Sequence, residues 1–215
     1  MTEIAPTVHI VDDDASFLAA TSRLLRASRL EVKTFSSAKE FLAQTAADTP
    51  GCAVVDLQMP GMDGLELQAA LARTHKAMPI VFLTGHGDIS STVRAMREGA
   101  EDFLEKLVPK EKLLDAVRRA LARDVRERKA RARDRELRAR FDELTEREHE
   151  VLGHVVRGRL NKQIADDLGI HERTAKAHRT AITTKLGVPS VAELTRLTLD
   201  AGVFTGSKSY TPKGQ

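Results

Sequence analysis

Residues 54–64, VVDLQMPGMDG, contain the clearest indication of how this chain folds. The run that leads into them, residues 52–55, is short, apolar and partly β-branched, which is typical of a strand buried on both faces. The Pro and Gly residues that follow Asp56 are typical of a turn. Asp56 is therefore expected where a buried strand ends. Taken alone, an Asp in that place is most simply a solvated loop residue or a helix cap.

A second strand-like run ends in the same way. Residues 9–11 (HIV) lead directly into Asp12, Asp13 and Asp14. Because the carboxyl ends of parallel strands share one edge of a sheet, at least three carboxylates should meet there. Like charges so close repel one another, so the cluster needs a cation, and ligands that are all oxygen suit Mg²⁺ better than zinc. Asp56 beside a bound Mg²⁺ would be a candidate phosphoryl acceptor.

Strand-like and helix-like segments alternate through the first half of the chain. Strands are predicted at 9–11, 31–35, 52–55, 80–83 and 102–105, and helices at 17–27, 37–42, 64–73 and 89–97. Ser37 and Asp63 are the expected caps of the second and third helices. Five alternating units predict an α/β domain with a doubly wound, five-stranded parallel sheet of the flavodoxin-like kind. Its site should lie at the carboxyl ends of the strands.

From Pro109 onward the sequence predicts helices only. Residues 123–140 hold 9 basic and 4 acidic side chains and neither Gly nor Pro. Strong helix formers without a breaker favour a continuous linker helix over residues 123–141. The simplest interpretation of its charges is a solvated helix face, and the alternatives are a coiled-coil contact or a nonspecific contact with phosphates.

Residues 142–205 are predicted to form a separate all-α domain of four helices. Thr145 begins a capping-box pattern at the first helix, and Asn161 is expected to cap the second. The third helix, residues 172–186, is basic and follows a Gly-containing turn, which is the pattern of a helix-turn-helix. The last residues, 206–215, are predicted to be a disordered tail.

Five features at the ends of strand-like runs together resemble the receiver domains of two-component response regulators. They are the Asp12–Asp13 pair, Asp56 within D-x-x-M-P-G-x-D-G, Thr84 after residues 79–83, Phe103, and Lys106. The resemblance covers residues 6–122 and implies that Asp56 is phosphorylated. It also implies that Mg²⁺ is held by the Asp pair, by Asp56 and by the backbone carbonyl of Gln58. Thr84 and Lys106 would bond phosphoryl oxygens, and Phe103 would turn inward when Thr84 moves.

Singly, three of these residues have simpler explanations. Thr84 can be an ordinary hydroxyl at a strand end, Lys106 a surface residue, and Phe103 a part of the core. The functional prediction depends on their occurring together.

The chain departs from the receiver pattern after Lys106. Receivers usually continue with Pro through a cis peptide, whereas here Leu107 follows and the first Pro is Pro109. A cis bond before a non-proline residue costs about 2.5 to 4 kcal/mol. A trans Lys106–Leu107 peptide is therefore predicted, with the following loop repacked and Lys106 less firmly held near Asp56.

Residues 142–203 resemble the four-helix output domain of the LuxR type. The matching segments are LTERE at 144–148, Gly158, NKQIA at 161–165, RTAKAH at 173–178 and KLG at 185–187. This resemblance implies that Lys176, Ala177 and Thr180 reach base edges in the major groove. The remaining predicted DNA contacts, mainly to phosphates, are Lys162, Arg173, Thr174, Arg179 and Lys185. His178 is left out, because a packing role explains it equally well.

Charge is divided between the two halves of the chain. Residues 1–108 carry 10 Lys+Arg and 15 Asp+Glu, and residues 109–215 carry 24 and 16. This division predicts a metal or phosphate site first and a polyanion contact second. Residues 142–215 hold 11 basic and 10 acidic side chains, so DNA binding must depend on a local patch.

The cysteine content and the hydropathy of the sequence indicate the cellular compartment in which the protein is expected. A single Cys, Cys52, excludes an internal disulfide and is typical of a reducing compartment. No apolar run approaches membrane length, and the N-terminal residues do not have the pattern of a signal peptide. A cytoplasmic protein without membrane contact is predicted.

These observations predict a DNA-binding transcriptional response regulator of the NarL/FixJ kind rather than an enzyme. The predicted partners are a sensor histidine kinase that phosphorylates Asp56, double-stranded promoter DNA, and a second copy of the chain in a phosphorylation-dependent homodimer. RNA polymerase is a further candidate partner. One alternative is an Asp-nucleophile phosphohydrolase, which also uses acidic strand ends with Mg²⁺. The other is a DNA-binding protein whose receiver works without phosphate.

Overall fold

The structure is a computed structural model that describes residues 5–46, 48–73, 78–85 and 89–201. Its elements are β1 (Thr7–Val11), α1 (Ala15–Ala27), β2 (Glu31–Phe35), α2 (Ala38–Gln44), β3 (Gly51–Asp56), α3 (Gly64–Arg73), β4 (Ile80–Thr84), α4 (Ile89–Arg97), β5 (Asp102–Glu105), α5 (Lys110–Asp142), α6 (Glu146–Val156), α7 (Asn161–Leu168), α8 (Glu172–Leu186) and α9 (Val191–Asp200). The predicted tail, 206–215, lies outside the described residues.

The chain divides into two compact units between Lys129 and Ala130. This boundary falls within α5. The domain limits at residues 122 and 141 stay predictions. Among the described residues, none of the helices has both the length and the apolar character that crossing a membrane would need.

The five strands form one parallel sheet in the order β2-β1-β3-β4-β5. Every residue of β3 and β4 is buried, which explains why their sequences are apolar rather than alternating up to their last residues, Asp56 and Thr84. Chain order reverses between β1 and β3, whose register pairs Val11 with Val55. Asp12 and Asp56 therefore leave adjacent strands at the same edge. The predicted flavodoxin-like α/β fold is confirmed.

Helices cover both faces of the sheet, and each face has its own core. Phe41, Leu67 and Phe82 belong to the core under α2, α3 and α4. Leu25 and Val117 belong to the core under α1 and α5. Full burial of one such side chain stabilises the fold by about 1.5 to 3 kcal/mol, so these two layers hold the strand ends in place.

The second unit packs α6 to α9 around a third core. Its fully buried side chains include Phe141, Val151, Ile164, Ile182 and Leu194. Thr145 and Glu148 form the predicted capping box at the start of α6. Gly169 ends α7 in the left-handed conformation, with φ at 62°, and turns the chain into α8. The predicted four-helix domain with a helix-turn-helix is confirmed.

The predicted role of Asn161 as a helix cap is wrong. Asn161 is the first residue of α7, and Leu160 occupies the cap position. Asn161 Oδ1 instead accepts a hydrogen bond of 2.7 Å from Arg179 of α8. Because this bond joins two helices, the local pattern around Asn161 gave no indication of it.

Helix α5 runs unbroken from Lys110 to Asp142, as predicted. Its charges are not all solvated, because Asp124 is buried and accepts a hydrogen bond of 2.9 Å from the Gly51 backbone N–H. Arg128 bonds Asp124 and also donates to the backbone carbonyl of Asp48 at 3.0 Å. These contacts anchor α5 to the loop before β3, so the solvated interpretation fails for Asp124 and Arg128.

Candidate functional site

An acidic pocket lies where β1 and β3 end. Asp12 follows β1, Asp13 comes next, and Asp56 is the last residue of β3. One carboxylate oxygen from each of the three lies within 4.8 Å of the other two. Asp12 and Asp56 are buried, whereas Asp13 is exposed. The structure thus brings the three predicted carboxylate ligands together.

Lys106 closes this pocket from the end of β5. Its Nζ lies 2.7 Å from Asp12 Oδ2, 2.9 Å from Asp56 Oδ2 and 4.5 Å from the ring centroid of Phe17. Burial raises the pKa of Asp12, the hydrogen bond from Lys106 opposes that rise, and the nearby charge of Asp56 adds to it. Burial alone would lower the pKa of Lys106, but its bonds to the two carboxylates raise it. The ammonium is therefore the counter-charge of both buried carboxylates.

The Lys106–Leu107 peptide is trans, as predicted, since the described part of the chain contains no cis peptide bond. That Lys106 is less firmly held than in receivers with Pro after the Lys stays a prediction; in this structure the residue is placed by backbone hydrogen bonds. Its backbone N–H donates to Thr84 O at 2.8 Å, and the N–H of Val108 donates to Glu105 O at 3.0 Å. This turn fixes Lys106 at the end of β5, while Leu107 itself is 95% exposed.

The turn after Asp56 depends on a close approach of the backbone. The Gly64 N–H donates to Leu57 O at 2.9 Å. A Cβ on Gly64 would lie 2.5 Å from Asp56 O and 2.9 Å from the ring of Phe82, so no larger residue fits without a shift. Asp63 accepts a hydrogen bond of 2.7 Å from the first turn of α3, which confirms the predicted cap. The motif's final Asp-Gly thus positions the strand end.

The other predicted receiver residues lie around or below the pocket. The Gln58 N–H donates to Asp56 Oδ1 at 3.2 Å, which places this backbone beside the carboxylate. Thr84 is the last residue of β4 and is buried. Phe103 is half-buried in β5, with its ring centroid 6.0 Å from that of Phe82. Thr84 therefore shares the edge of the sheet with Asp56, and Phe103 lies in the core beneath it.

Helix α8 carries the second candidate site. Its buried residues are Ala175, Ile182 and Leu186. Its exposed residues include Arg173, Thr174, Lys176, Ala177 and Thr180, and Lys162 of α7 is exposed as well. Positions 173, 176, 177 and 180 share one side of the helix because they are three or four residues apart. A helix face of this kind, basic with small neighbours, can enter the major groove of DNA.

Two predicted phosphate contacts have partners inside the second unit. Arg179 bonds α7, as described above. Lys185 Nζ lies 2.7 Å from Glu148 Oε2 and donates to Glu143 O at 3.2 Å. Burial would raise the pKa of Glu148, but bonds from Lys185 and Thr145 leave it lowered. Lys185 therefore supports the fold of this unit, and its contact with phosphate stays a prediction.

Three contributions to these sites were not predicted from the sequence. Phe17, which lies near the Lys106 ammonium, was only one apolar residue of a helix. Asp14 caps α1 rather than adding to the pocket's ligands, and its position just before the helix was the available signal. The ion pair of Glu148 with Lys185 joins residues 37 apart, so no local pattern indicates it.

Comparison with known proteins identifies the family. The family described as "Response regulator receiver domain" matches residues 8–118, and that described as "Bacterial regulatory proteins, luxR family" matches residues 142–198. Nodulation protein W of Bradyrhizobium diazoefficiens is 42% identical over 204 residues, which cover 95% of this chain and 90% of that protein. Response regulator protein TodT of Pseudomonas putida is 41% identical over 198 residues, which cover 92% and 87%.

Solved structures of response regulators are also similar to this chain. The response regulator StyR has a TM-score of 0.83 and 45% identity, covering 91% of this chain and 99% of that one. Full-length FixJ from B. japonicum has a TM-score of 0.55 and 33% identity, covering 93% and 98%. The chain therefore belongs to the response regulators in which a receiver domain precedes a LuxR-type DNA-binding domain. These are regulators of transcription, which sets aside the phosphohydrolase alternative.

Proposed function

We propose that this chain regulates transcription under the control of Asp56 phosphorylation by a sensor histidine kinase. Phosphorylation promotes a homodimer that binds double-stranded promoter DNA through α8 in the cytoplasm, with RNA polymerase as a further partner. The supporting observation is the acidic pocket, in which three carboxylates lie within 4.8 Å and Lys106 is the counter-charge of two of them.

The pocket's donors fit a hard divalent cation. The three side-chain donors are all carboxylate oxygens, which Mg²⁺ prefers. The raised pKa of Asp12 reflects the cost of charge in a buried site, and a cation would offset that cost. Asp12, Asp13, Asp56 and the backbone carbonyl of Gln58 would hold it. When bound, Mg²⁺ would reduce the repulsion between these carboxylates and an incoming phosphoryl group.

Asp56 is the proposed nucleophile. One carboxylate oxygen forms the new bond to phosphorus while the bond between phosphorus and the imidazole nitrogen of the kinase's phosphohistidine breaks. Lys106, which already contacts Asp56, would direct an N–H to a phosphoryl oxygen, and the Thr84 hydroxyl would donate to another. Phe103 would follow Thr84 inward and change the adjacent surface.

Helix α8 is the proposed DNA-reading element. Lys176, Ala177 and Thr180 would read base edges, because they are exposed on one side of the helix. The set that would bind the backbone comprises Lys162, Arg173, Thr174, Arg179 and Lys185. A dimer would place two such helices about one DNA turn, roughly 34 Å, apart on an inverted repeat.

Intact-mass analysis after incubation with acetyl phosphate and Mg²⁺ tests the acceptor. We expect one phosphate adduct on the wild-type chain, and none when EDTA replaces Mg²⁺. Asp56→Asn should carry no adduct, because it removes the nucleophile and nearly preserves the shape. Asp63→Asn is the matched control, since it changes another carboxylate of the same loop and should keep the adduct. An adduct that persists on Asp56→Asn would identify a different acceptor.

A further inference from the structure

We propose that Phe17 is a positioning residue for phosphorylation. The face of its ring holds the Lys106 ammonium at the acidic pocket while Lys106 turns from Asp56 to an incoming phosphoryl oxygen. This inference rests on the proposed function and adds a residue to it. Phe17 acts through Lys106 rather than on the reacting atoms.

The Lys106 ammonium lies between two carboxylates and an aromatic ring. Its Nζ is 2.7 Å from Asp12 Oδ2 and 2.9 Å from Asp56 Oδ2. It also lies over the Phe17 ring, 4.5 Å from the centroid. An ammonium within about 6 Å of a ring centroid is attracted by the negative charge of the ring face. Because the Lys106 side chain is only 19% exposed, water weakens this attraction only in part.

Local hydrogen bonds fix the segment that carries Phe17. Asp12 Oδ1 accepts a hydrogen bond of 2.9 Å from the Asp14 N–H. Asp14 Oδ1 in turn accepts from the N–H of Ser16 at 2.8 Å and of Phe17 at 3.2 Å. The half-buried Phe17 side chain also packs against the core under α1 and α5. The ring therefore has a fixed place beside Asp12, whereas Lys106 carries its ammonium on a flexible four-carbon stem.

Packing of α1 explains why residue 17 is apolar, but it does not require an aromatic ring. Phe17 lies four residues before Thr21 and eight before Leu25, which are buried on the same face of the helix. An aliphatic side chain such as Leu would continue this face. Only an aromatic side chain also presents a ring face to a cation. The ring is therefore the feature of Phe17 that the contact with Lys106 uses.

The ring contact matters most while the phosphoryl group is transferred. Before transfer, Asp56 Oδ2 lies 2.9 Å from the ammonium. During transfer, an Asp56 oxygen forms its bond to phosphorus, and Lys106 must direct an N–H to a phosphoryl oxygen instead. Attraction to a ring face does not depend on where each N–H points, so the ammonium can turn without leaving the ring. Asp12 and Phe17 would then keep Lys106 in the pocket.

The initial rate of phosphorylation of the full-length chain tests this inference. Wild type and variants are incubated with acetyl phosphate and Mg²⁺, and intact-mass analysis follows the adduct with time. An Asp56 oxygen bonds to phosphorus while the bond between phosphorus and the acetate oxygen breaks, and acetate leaves with that electron pair. Phe17→Leu should lower the rate about fivefold, the factor that corresponds to a partly shielded cation–π contact. Phe17→Tyr keeps the ring and should stay within about twofold of the wild type.

Fluorinated phenylalanines at position 17 separate the ring face from packing. Each fluorine withdraws electrons from the ring face and weakens its attraction for a cation, while the shape of the side chain changes little. One, two and three fluorines should therefore lower the rate in successive steps. Leu18→Ala is the packing control, because Leu18 is the next residue of α1 and packs against the same core. It should leave the rate unchanged.

A second measurement needs neither a phosphodonor nor Mg²⁺. Protons over a ring face resonate at higher field, so the NMR signals of the methylene protons next to Lys106 Nζ should move to lower field in Phe17→Leu. Leu18→Ala should leave these signals in place. Urea unfolding of each variant checks that the first unit stays folded under the conditions of the assay.

The outcomes distinguish this inference from the proposed function. If the wild type is phosphorylated on Asp56 and Phe17→Leu reacts at the wild-type rate, the role of Phe17 is wrong and the proposed function stands. Equal losses for Phe17→Leu and Leu18→Ala, or a rate that is constant along the fluorine series, also overturn it, because packing would then explain the effect. Unchanged methylene signals in Phe17→Leu overturn the ring contact itself. If the wild type acquires no phosphate, both proposals fail.

Discussion

Two lysines each hold buried carboxylates in this protein, one in each unit. Lys106 contacts Asp12 and Asp56, and Lys185 contacts Glu148. A buried carboxylate that loses its only cationic partner is strongly destabilising, because the charge remains without compensation. Both lysines therefore contribute to stability before either meets a phosphate.

Lys185→Ala should destabilise the second unit by about 1 to 2 kcal/mol. Breaking a buried ion pair costs about 3 to 5 kcal/mol, but the Lys185 side chain is 35% exposed and solvent reduces the loss. The pKa of Glu148 is lowered from 4.5 in the folded state. The stability from this pair is therefore present above pH 4.5 and is lost as pH falls through the folded-state pKa.

Urea unfolding at neutral and acidic pH measures this effect. The difference in free energy of unfolding between the wild type and Lys185→Ala should be largest near neutral pH. It should become smaller toward low pH. Lys162→Ala, which removes an exposed Lys of α7, is the control and should change stability little. If Lys162→Ala lost as much stability as Lys185→Ala, the stabilising role of the Lys185–Glu148 pair would be contradicted.

His9 should make the stability of the first unit depend on pH. It is 1% exposed and lies against the rings of Phe35 and Phe41. Burial, with a smaller contribution from the charge of Lys33, lowers its pKa from 6.5 to about 4. Between these values the unfolded chain binds a proton that the folded chain excludes, so stability falls as pH decreases through this window. The shift corresponds to about 3 kcal/mol.

His9→Phe should remove most of that pH dependence. Hydrogen exchange of first-unit peptides, followed in urea from about pH 7.5 to about pH 4.5, reports the unfolding of this unit. His171→Gln, which changes an exposed His of the second unit, should retain the wild-type dependence. A His9→Phe chain that loses stability as steeply as the wild type would refute the role of His9.

At the scale of helices and strands, local patterns determined which elements could be predicted. Strand β3 was predictable because burial on both faces requires a continuous apolar run. Helices α3 and α6 were predictable because their caps, Asp63 and Thr145, and their apolar periodicity are local signals. Asp124 and Arg128 were assigned to a solvated run, because their partners Gly51 and Asp48 lie 73 and 80 residues away. Contacts of that range are fixed by the packed fold and leave no periodic pattern.

The anchor between α5 and the loop before β3 predicts a local effect of mutation. Arg128→Ala should speed amide exchange in α5 near residues 124–128 and at the start of β3, because Asp124 would lose its cationic partner. Arg126→Ala, which removes an exposed Arg of the same helix turn, is the control and should leave exchange unchanged there. If the amides of these segments were equally protected from exchange in Arg128→Ala and Arg126→Ala, the role of Arg128 in anchoring α5 would be contradicted.

At the scale of the whole molecule, the acidic pocket and α8 belong to different compact units. The pocket's members could be predicted because each follows a strand-like run, and strand order places the ends together. The contact of Lys106 with Asp12 could not be predicted, because it depends on how the side chain packs between the strand ends. If the acidic pocket controls DNA binding, the protein must exist in an equilibrium between two states that differ in DNA affinity. Phosphorylation must then favour the state that binds DNA more tightly.

The measurement that tests this control most directly combines DNA affinity and sedimentation in the same samples. Wild type and Asp56→Asn are compared with and without acetyl phosphate and Mg²⁺, on the duplex selected by the wild type. We expect the phosphorylated wild type to change from monomer to dimer and to bind at least about tenfold more tightly, a coupling of about 1.4 kcal/mol. Asp56→Asn should show neither change. A phosphorylated wild type that stays monomeric with unchanged affinity, or an equal response of Asp56→Asn, would contradict the account.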